Sequence, residues 1–441
     1  MGEPRYYDIR RARGESTQVE IDNGVVEHAG TSFFDHAVVR ALGPHGWGVL
    51  VVDSLDPDDP GERREAVAAA TALAPIPRDQ VDLAPASRGM LPVPRPAEDP
   101  REVSLEEKVS LLGTIEAAAR REGVSSTRAR YMETAESVHY MDSSGIESAH
   151  ELTRSGFSIM AVASRNGVMQ PGRESFHTIS GFPLRHREGL ARTAAERAVA
   201  LLDARPAKGG RMNAILDPEL AGVFAHEAVG HASEGDLVRE GISVLRGRIG
   251  ERIGSPAVTI VDDPTLPEFG FEPVDAEGVA VSRTEIVRRG VFASYLHNRQ
   301  TLAAVGDGLP GHARAESGHL PQVRMSNTFI DAGDADLEEI LEGCGDGVLL
   351  AGSRGGQVDP GRGVFQFNAE YGYRVEGGEL AGMLRDVSLS GEILATLHAI
   401  ALVGTDLRMH QGYCGKGGQS VPVSDGAPHI LLNDAVVGGS E

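Results

Sequence analysis

Residues 212–236, MNAILDPELAGVFAHEAVGHASEGD, contain the clearest local signals in the chain. The apolar run at the start of this stretch predicts a buried strand. Asp217 is a typical N-cap residue, and Pro218 suits the first helical position, where a backbone N–H has no helical partner anyway. The stretch therefore predicts a strand followed by a helix, and His226 falls about two turns into that helix.

His226 and His231 are five residues apart. The H-E-x-x-H motif of many zinc peptidases spaces its histidines by four, on one helix face. Positions five apart differ by about 140° around a regular helix, so an unbroken helix would direct the two imidazoles to different sides. Either the histidines are unrelated, or the helix is widened, as by a π-bulge, or ends between them near Gly230, since glycine leaves α geometry at little cost. In the second case Glu227 is placed as a general base beside a metal ion, and we expect irregular backbone hydrogen bonds over 226–231.

A catalytic zinc ion commonly has three protein ligands, so two histidines leave one ligand to be found. Glu234 and Asp236 are close in sequence, but a solvated helix end is the interpretation we favour for them. The better candidate is Cys414 in QGYCGKGGQSVPV (411–423), which we expect to form a glycine-rich turn. Lys416 would lower the pKa of the neighbouring thiol and favour metal binding. Taken alone, however, such a stretch is an ordinary tight turn more often than a site.

The first half of the sequence predicts a mixture of antiparallel strands and helices. Ser104 begins a capping box with Glu107, and RPAKGG (205–210) is the best candidate for a domain boundary. The predicted elements are a hairpin around Asn23-Gly24, a strand at 47–53, helices at 61–76, 104–123 and 187–204, and strands over 124–183 with turns at Gly167 and Gly172.

The second half is rich in short strands and glycine turns, with helices near 297–306, 336–343 and 391–399. The predicted fold class is therefore α+β. We expect a mixed N-terminal α/β domain of antiparallel strands and helices over 1–206. A β-rich C-terminal domain that carries the metal-binding helix is expected over 207–441.

The composition of the chain argues against some classes of binding partner and indicates the cellular compartment. The 441 residues carry a net charge of −22, which argues against nucleic acid and anionic membranes as partners. No run approaches the roughly 20 apolar residues of a membrane-spanning helix, and the N-terminus lacks the apolar core of a signal peptide, so we expect a cytoplasmic protein.

Cys344 and Cys414 are the two cysteines, and Cys344 is expected to have a packing role only. His410, four residues before Cys414, is a weaker rival ligand.

The histidine and cysteine stretches together resemble the TldD/PmbA family of zinc metallopeptidases. Catalytic members of that family carry HExxxH, then EGD, then a distant C-G-K-x-G-Q-S. Here these are residues 226–231, 234–236 and 414–420. The resemblance is strong over about 210–430 and looser in the N-terminal half. Further similar blocks lie at 295–306, 320–330, 353–367 and 402–423.

The resemblance implies that His226, His231 and Cys414 bind zinc and that Glu227 is the general base for peptide hydrolysis. It also implies a peptide or unfolded-protein substrate, and a homodimer or a heterodimer with a non-catalytic TldE/PmbA-like relative. Two departures from the family pattern stand away from the metal set. His312 occupies a position where asparagine is expected, and Ser353-Arg354 interrupt a longer glycine run.

Three functions are compatible with these patterns. The first is a zinc metallopeptidase, and the alternative is a non-catalytic metal-binding scaffold or partner subunit. A hydrolase of non-peptide amides is the third. Glu227 separates the first two, because a structural metal site has no need of that carboxylate. An extended substrate is expected to pair with a strand edge near the metal, at 355–359 or 324–330, although interior strands are an equally open interpretation of both stretches.

Overall fold

The structure is a computed structural model that describes residues 3–44, 46–74 and 81–439. In its first half, six antiparallel strands form one sheet, with the spatial order third, second, first, fourth, fifth, sixth. The strands are β1 (Tyr6–Asp22), β2 (Val25–Gly43), β3 (Gly46–Asp53), β4 (Val124–Asp142), β5 (Glu147–Arg165) and β6 (Val168–Thr178). The helices are α1 (Pro60–Ala72), α2 (Leu105–Ala119) and α3 (Glu188–Leu201), with a 3-10 turn at Pro100–Glu102.

Local signals explain most of this half. Asn23 and Gly24 have φ angles of 49° and 80° and form the predicted hairpin turn between β1 and β2. The Ser104 hydroxyl accepts a hydrogen bond from the Glu107 N–H and caps α2. That helix ends at Ala119, earlier than predicted, because Arg120 is already extended. Helix α1 also ends early, at Ala72, and the last two residues of its predicted range lie outside the described residues.

The two faces of this sheet differ. Side chains alternate between faces along each strand, and Val19, Tyr131 and Phe157 lie on the face that packs against α2 and α3. The opposite face carries Arg10, Glu136 and other polar residues. One face of the sheet therefore forms an apolar core with α2 and α3, and the polar side chains of the other face need polar partners.

The turn predicted at Gly172 is wrong. Gly167 does lie in the turn after Asn166, but Gly172 lies within β6, opposite Ala161. A Cβ atom on Gly172 would be 2.0 Å from the Ala194 carbonyl oxygen of α3. This glycine therefore allows a helix to lie directly on a strand, a role that sequence reasoning confuses with a turn.

The second half contains two larger sheets and a two-stranded ribbon. Its strands are β7 (Arg205–Pro206), β8 (Gly210–Leu216), β9 (Ile260–Asp262), β10 (Thr284–Arg288), β11 (Val291–Phe292), β12 (Ala313–Arg314), β13 (Gln322–Val323), β14 (Asn327–Ile330), β15 (Gly347–Ala351), β16 (Gly356–Asp359), β17 (Val364–Asn368), β18 (Tyr371–Glu376), β19 (Glu379–Arg385), β20 (Ser388–Glu392), β21 (Ile400–Val403), β22 (Arg408–Lys416), β23 (Gln419–Ala427) and β24 (Ile430–Gly438). Its helices are α4 (Pro218–Phe224), α5 (Gly235–Glu240), α6 (Arg299–Val305), α7 (Leu337–Cys344) and α8 (Ile393–Ala399).

The sheets of this half follow two strand orders. A ten-stranded sheet runs β16-β17-β20-β24-β8-β15-β18-β19-β7, with β21 also paired to β24. A six-stranded sheet runs β11-β10-β9-β14-β23-β22, and β12 pairs with β13. The α+β fold class and the three predicted C-terminal helices are confirmed. The division between residues 206 and 207 stays a prediction.

The two edge-strand expectations have different outcomes. Strand β16 ends the ten-stranded sheet, so the stretch 355–359 does contain an edge strand. Strand β14 lies between β9 and β23, so the expectation for 324–330 is wrong. The residues of β14 are all buried, as suits a strand with neighbours on both sides.

Helix α4 lies between the two sheets and contacts strands of both. Asp217 caps it by accepting a hydrogen bond from the Leu220 N–H, and Pro218 occupies the first turn, both as predicted. Phe224, Ala228 and Val229 are fully buried at and beyond its end. Among the described residues, no helix is long and apolar enough to cross a membrane.

Replacing Gly172 by alanine tests the strand–helix contact. We expect Gly172→Ala to lower the free energy of unfolding by about 1–3 kcal/mol, because the new methyl group collides with the α3 backbone. Gly382→Ala is the matched control, since Gly382 lies in β19 and its Cβ would meet no atom within 4 Å. Urea denaturation followed by circular dichroism measures both. Equal stability of the two variants would contradict this account of Gly172.

Candidate metal centre

The helix that carries the two histidines is widened, as the sequence predicts. Ala225–Gly230 form a π-helix directly after α4, and the His231 N–H donates to the His226 carbonyl oxygen, five residues back. The imidazole rings consequently lie side by side, with centroids 5.4 Å apart and planes at 90°. The expected deviation over 226–231 is confirmed.

The part played by Gly230 differs from the expected one. Its φ and ψ angles, −55° and −58°, are ordinary helical values that any residue adopts. A Cβ atom at this position would, however, lie 3.0 Å from Met325 Cγ. Glycine therefore lets the Met325 side chain pack closely against the widened turn, and a larger residue would require that side chain to shift.

Cys414 reaches the same place from a distant strand. It lies in β22, opposite Val421 of β23, and its Sγ atom is 3.4 Å from His231 Nε2. Ligand atoms of His226, His231 and Cys414 all lie within 4.8 Å of one another. The expectation that Cys414 itself lies in a turn is wrong, because Gly417 and Gly418, with positive φ angles, make the turn three residues later.

The cluster is buried and strongly polar. Burial alone would raise the pKa of Cys414, but the imidazoles of His226 and His231 overcome this effect and lower it to about 4. Within the part of the chain that the structure describes, neither ring nitrogen of His226 has a hydrogen-bond partner, although the residue is only 2% exposed. Buried polar atoms without partners are uncommon, and they indicate a ligand that would satisfy them.

The predicted role of Lys416 is wrong. Its ammonium group donates to Glu234 Oε2 at 3.0 Å, Asp236 Oδ2 at 2.7 Å and the Val323 carbonyl at 3.0 Å. The charge of this lysine is therefore directed at two carboxylates, and the histidines are the groups that lower the thiol pKa.

Glu234 is the residue that sequence reasoning misjudged most. It is fully buried, and is not part of a solvated helix end. Its Oε2 atom accepts hydrogen bonds from His231 Nδ1 and Lys416 Nζ, each at 3.0 Å. Because Nδ1 is occupied, the free Nε2 of His231 is directed towards Cys414, an arrangement that orients metal-binding histidines in many proteins. The sequence signal that could have indicated this contact is the occurrence of the acidic Glu234-Gly235-Asp236 segment together with the distant Lys416.

Glu227 and His410 differ in their relation to the cluster. Glu227 Oε2 is 3.8 Å from His231 Nε2, and this side chain is 35% exposed, so water can reach it. His410 is not part of the cluster, although it lies on the same strand as Cys414. Cys344 packs in a separate apolar cluster, as expected.

The donor set suits zinc. Two imidazole nitrogens and one thiolate are common zinc ligands, and three protein ligands leave a position open for chemistry. The unpartnered nitrogens of His226 and the orientation of His231 by Glu234 are both what such a site requires. The fold therefore carries a candidate metal-binding cluster of three donors on a π-helical turn.

The chain belongs to the PmbA/TldD metallopeptidase family. Models described as PmbA/TldA metallopeptidase domain 1, central domain and C-terminal domain match residues 7–74, 98–202 and 209–439. The resemblance stated from the sequence is thereby confirmed.

Two similar proteins match nearly the whole chain, and a third matches about two thirds of it. A metalloprotease of Methanothermobacter thermautotrophicus is 39% identical over 441 residues, which is 99% of this chain and 96% of the relative. A zinc metalloprotease TldD homolog of Saccharolobus solfataricus is 34% identical over 68% of each chain. TldE from Thermococcus kodakarensis has a similar structure, with a TM-score of 0.81 over 99% of this chain and 97% of its own. That likeness concerns the fold alone, since sequence identity is 20%.

Removing the charge of Glu234 tests whether it orients His231. We expect Glu234→Gln to weaken zinc affinity about 10- to 100-fold, because the Nδ1 hydrogen bond loses its carboxylate acceptor. Competition with a chromophoric chelator measures the affinity. Glu251→Gln, in an exposed pair with Arg248, is the control and should bind as wild type does. Unchanged affinity in a folded Glu234→Gln variant would refute the orienting role.

Proposed function

We propose that this chain is a zinc-dependent metallopeptidase that hydrolyses peptides or unfolded protein segments. The observation that carries the proposal is the π-helical turn, which aligns His226 and His231 with Cys414 and leaves Glu227 accessible to water. In this proposal His226, His231 and Cys414 bind the zinc ion, and Glu227 is the catalytic base.

Zinc, when bound, supplies a Lewis acid that polarises a peptide carbonyl and acidifies water. Glu227 removes a proton from the attacking water and delivers it to the leaving amide nitrogen. Its partial exposure matters for this role, because a base has to exchange protons with the substrate. Glu234, itself held by Lys416, keeps His231 in position.

The substrate is proposed to bind as an added strand. Strand β16 has an unpaired edge, contacts the π-helix and is largely exposed. An extended peptide pairing with this edge would use its own backbone hydrogen bonds, which are tolerant of sequence. Such binding admits peptides and unfolded segments, whereas a folded protein cannot present an extended backbone there.

Glu227 favours catalysis over the scaffold alternative. A site that only stabilises the fold is normally closed by four protein ligands, whereas this cluster offers three and an adjacent exposed carboxylate. Hydrolysis of a non-peptide amide would use the same groups. The edge strand beside the site is the feature that favours a peptide.

We also propose that the chain acts as a dimer in the cytoplasm, either with a second copy or with a TldE/PmbA-like relative. The β1–β2 hairpin exposes Val25, Val26 and Phe33, which together offer apolar surface for a partner. A reducing compartment keeps Cys414 available as a ligand. Light scattering of the purified chain, alone and with such a relative, measures the assembly; a monomer in both samples would contradict it.

Metal analysis and peptide cleavage test the catalytic proposal together. Wild type should contain about one zinc per chain, and Cys414→Ala should lose most of it, because one of three ligands is gone. Glu227→Gln should keep its zinc but cleave unstructured peptides about 100-fold more slowly or worse, because the base is missing. Glu240→Gln, in α5, should retain both properties.

The outcomes separate the alternatives. Zinc without peptide cleavage, and no effect of Glu227→Gln on any amide substrate, would identify a scaffold subunit. Cleavage of small cyclic amides but not of peptides would identify the third function. Absence of metal in wild type after zinc is added back would refute the zinc site itself.

A further inference from the structure

A second chemical environment lies on the polar face of the N-terminal sheet. A cavity of about 1000 Å³ separates this face from loops of the second half of the chain. Arg10, Ser148 and His150 line it from the sheet, and Glu272 and Tyr413 line it from the other side. His226, His231, Cys414 and Glu227 are not among the lining residues, but Tyr413 and Val421, which adjoin Cys414, are, so the cavity borders the metal centre without including its residues.

Several buried polar atoms in this wall lack partners. Arg10 is only 7% exposed, and its Nη1 atom has no hydrogen-bond partner within the described residues. The nearest carboxylate oxygen to its guanidinium, Glu136 Oε2, is 3.8 Å from Nη2, beyond hydrogen-bond distance. Ser148 Oγ and His150 Nδ1 are also unpartnered. Buried donors of this kind are costly unless something in the cavity satisfies them.

The carboxylates near Arg10 leave its Nη1 atom without a hydrogen-bond partner among the residues that the structure describes. Glu272 is already paired with Arg154 at 3.0 Å and with Arg314 at 2.6 Å. Burial raises the pKa of Glu136, and the charges of Arg10 and Arg154 oppose this rise. Burial lowers the pKa of His150 to about 4, so at neutral pH this imidazole is uncharged and can donate one hydrogen bond.

The cavity wall carries both signs of charge, with four arginines and five acidic residues: Arg10, Arg130, Arg154 and Arg314, and Glu20, Glu136, Glu272, Asp275 and Glu316. The chain as a whole has a net charge of −22 and therefore repels anions in general. An anion that binds this protein needs hydrogen-bond donors that the protein itself does not use. Within the described residues, Arg10 Nη1, Ser148 Oγ and His150 Nδ1 are such groups, and together they suit an oxyanion.

We propose that this cavity binds a small organic acid, whose carboxylate or phosphate group is held by Arg10, Ser148 and His150. A guanidinium group binds either oxyanion through two hydrogen bonds, which gives geometry as well as charge. The volume is that of a pocket for a small molecule and exceeds what a single ion needs. Tyr413, the neighbour of Cys414, forms part of the wall, so the ligand contacts the hairpin that carries the cysteine.

Isothermal titration of the zinc-loaded protein with succinate and with inorganic phosphate tests the proposal. At least one of them should bind at millimolar concentration or below, and the preferred one identifies the group that the cavity recognises. Arg10→Met should weaken that binding about tenfold or more, because the charged donor is lost.

Arg11→Met is the matched control. Arg11 is the next residue of β1, is not a lining residue of the cavity, and pairs with Asp35. The Arg11→Met substitution removes the same charge as Arg10→Met, and the affinity for the anion should be unchanged. If Arg10→Met does not fold, Ser148→Ala should still weaken binding about threefold or more.

Two results would overturn the proposal. Failure of both succinate and phosphate to bind wild type would leave the cavity without the proposed ligand class. Binding that Arg10→Met leaves intact, or that Arg11→Met weakens equally, would place the anion elsewhere, for example at the metal centre. Neither result bears on peptide cleavage, so this inference and the proposed function stand or fall separately.

Discussion

One hydrogen bond organises the centre of this protein. The bond from the His231 N–H to the His226 carbonyl spans five residues, and it turns a spacing that is unsuitable in a regular helix into a pair of adjacent imidazoles. The turn is held on all sides, since it follows α4 between two sheets and packs against Met325. A π-turn in an isolated peptide would revert to α geometry, so the surrounding core has to maintain it.

Buried charge is arranged in two different ways in the two halves. Beside the metal centre, Lys416 pairs with both Glu234 and Asp236, and Glu234 orients His231. Removing one member of such a group leaves an uncompensated buried charge, which is strongly destabilising. On the polar face of the N-terminal sheet, Arg10 has no equally close carboxylate. The first arrangement holds protein side chains in place, whereas the second leaves a hydrogen-bond donor that a ligand can use.

Local signals predicted local structure well. The Asn23-Gly24 hairpin, the Asp217 cap and the Ser104 cap all act within a few residues, so the sequence reports them directly. The predictions were wrong where a glycine or a charged residue contacts a segment that is distant in the sequence. Gly172 resembles a turn residue but admits α3, and Glu234 resembles a solvated residue but lies buried against Lys416, 182 positions away.

By itself, the sequence determined the α+β class, the membership of the metallopeptidase family and the identity of the residues proposed to hold the metal. Those properties depend on residue types in a fixed order, which a linear chain displays. Only the tertiary structure decided that Cys414 lies 3.4 Å from His231, that Met325 packs closely against Gly230, and that a polar cavity separates the two halves. Each of these depends on the distance between segments far apart in the chain, and that distance is set by packing of the whole core.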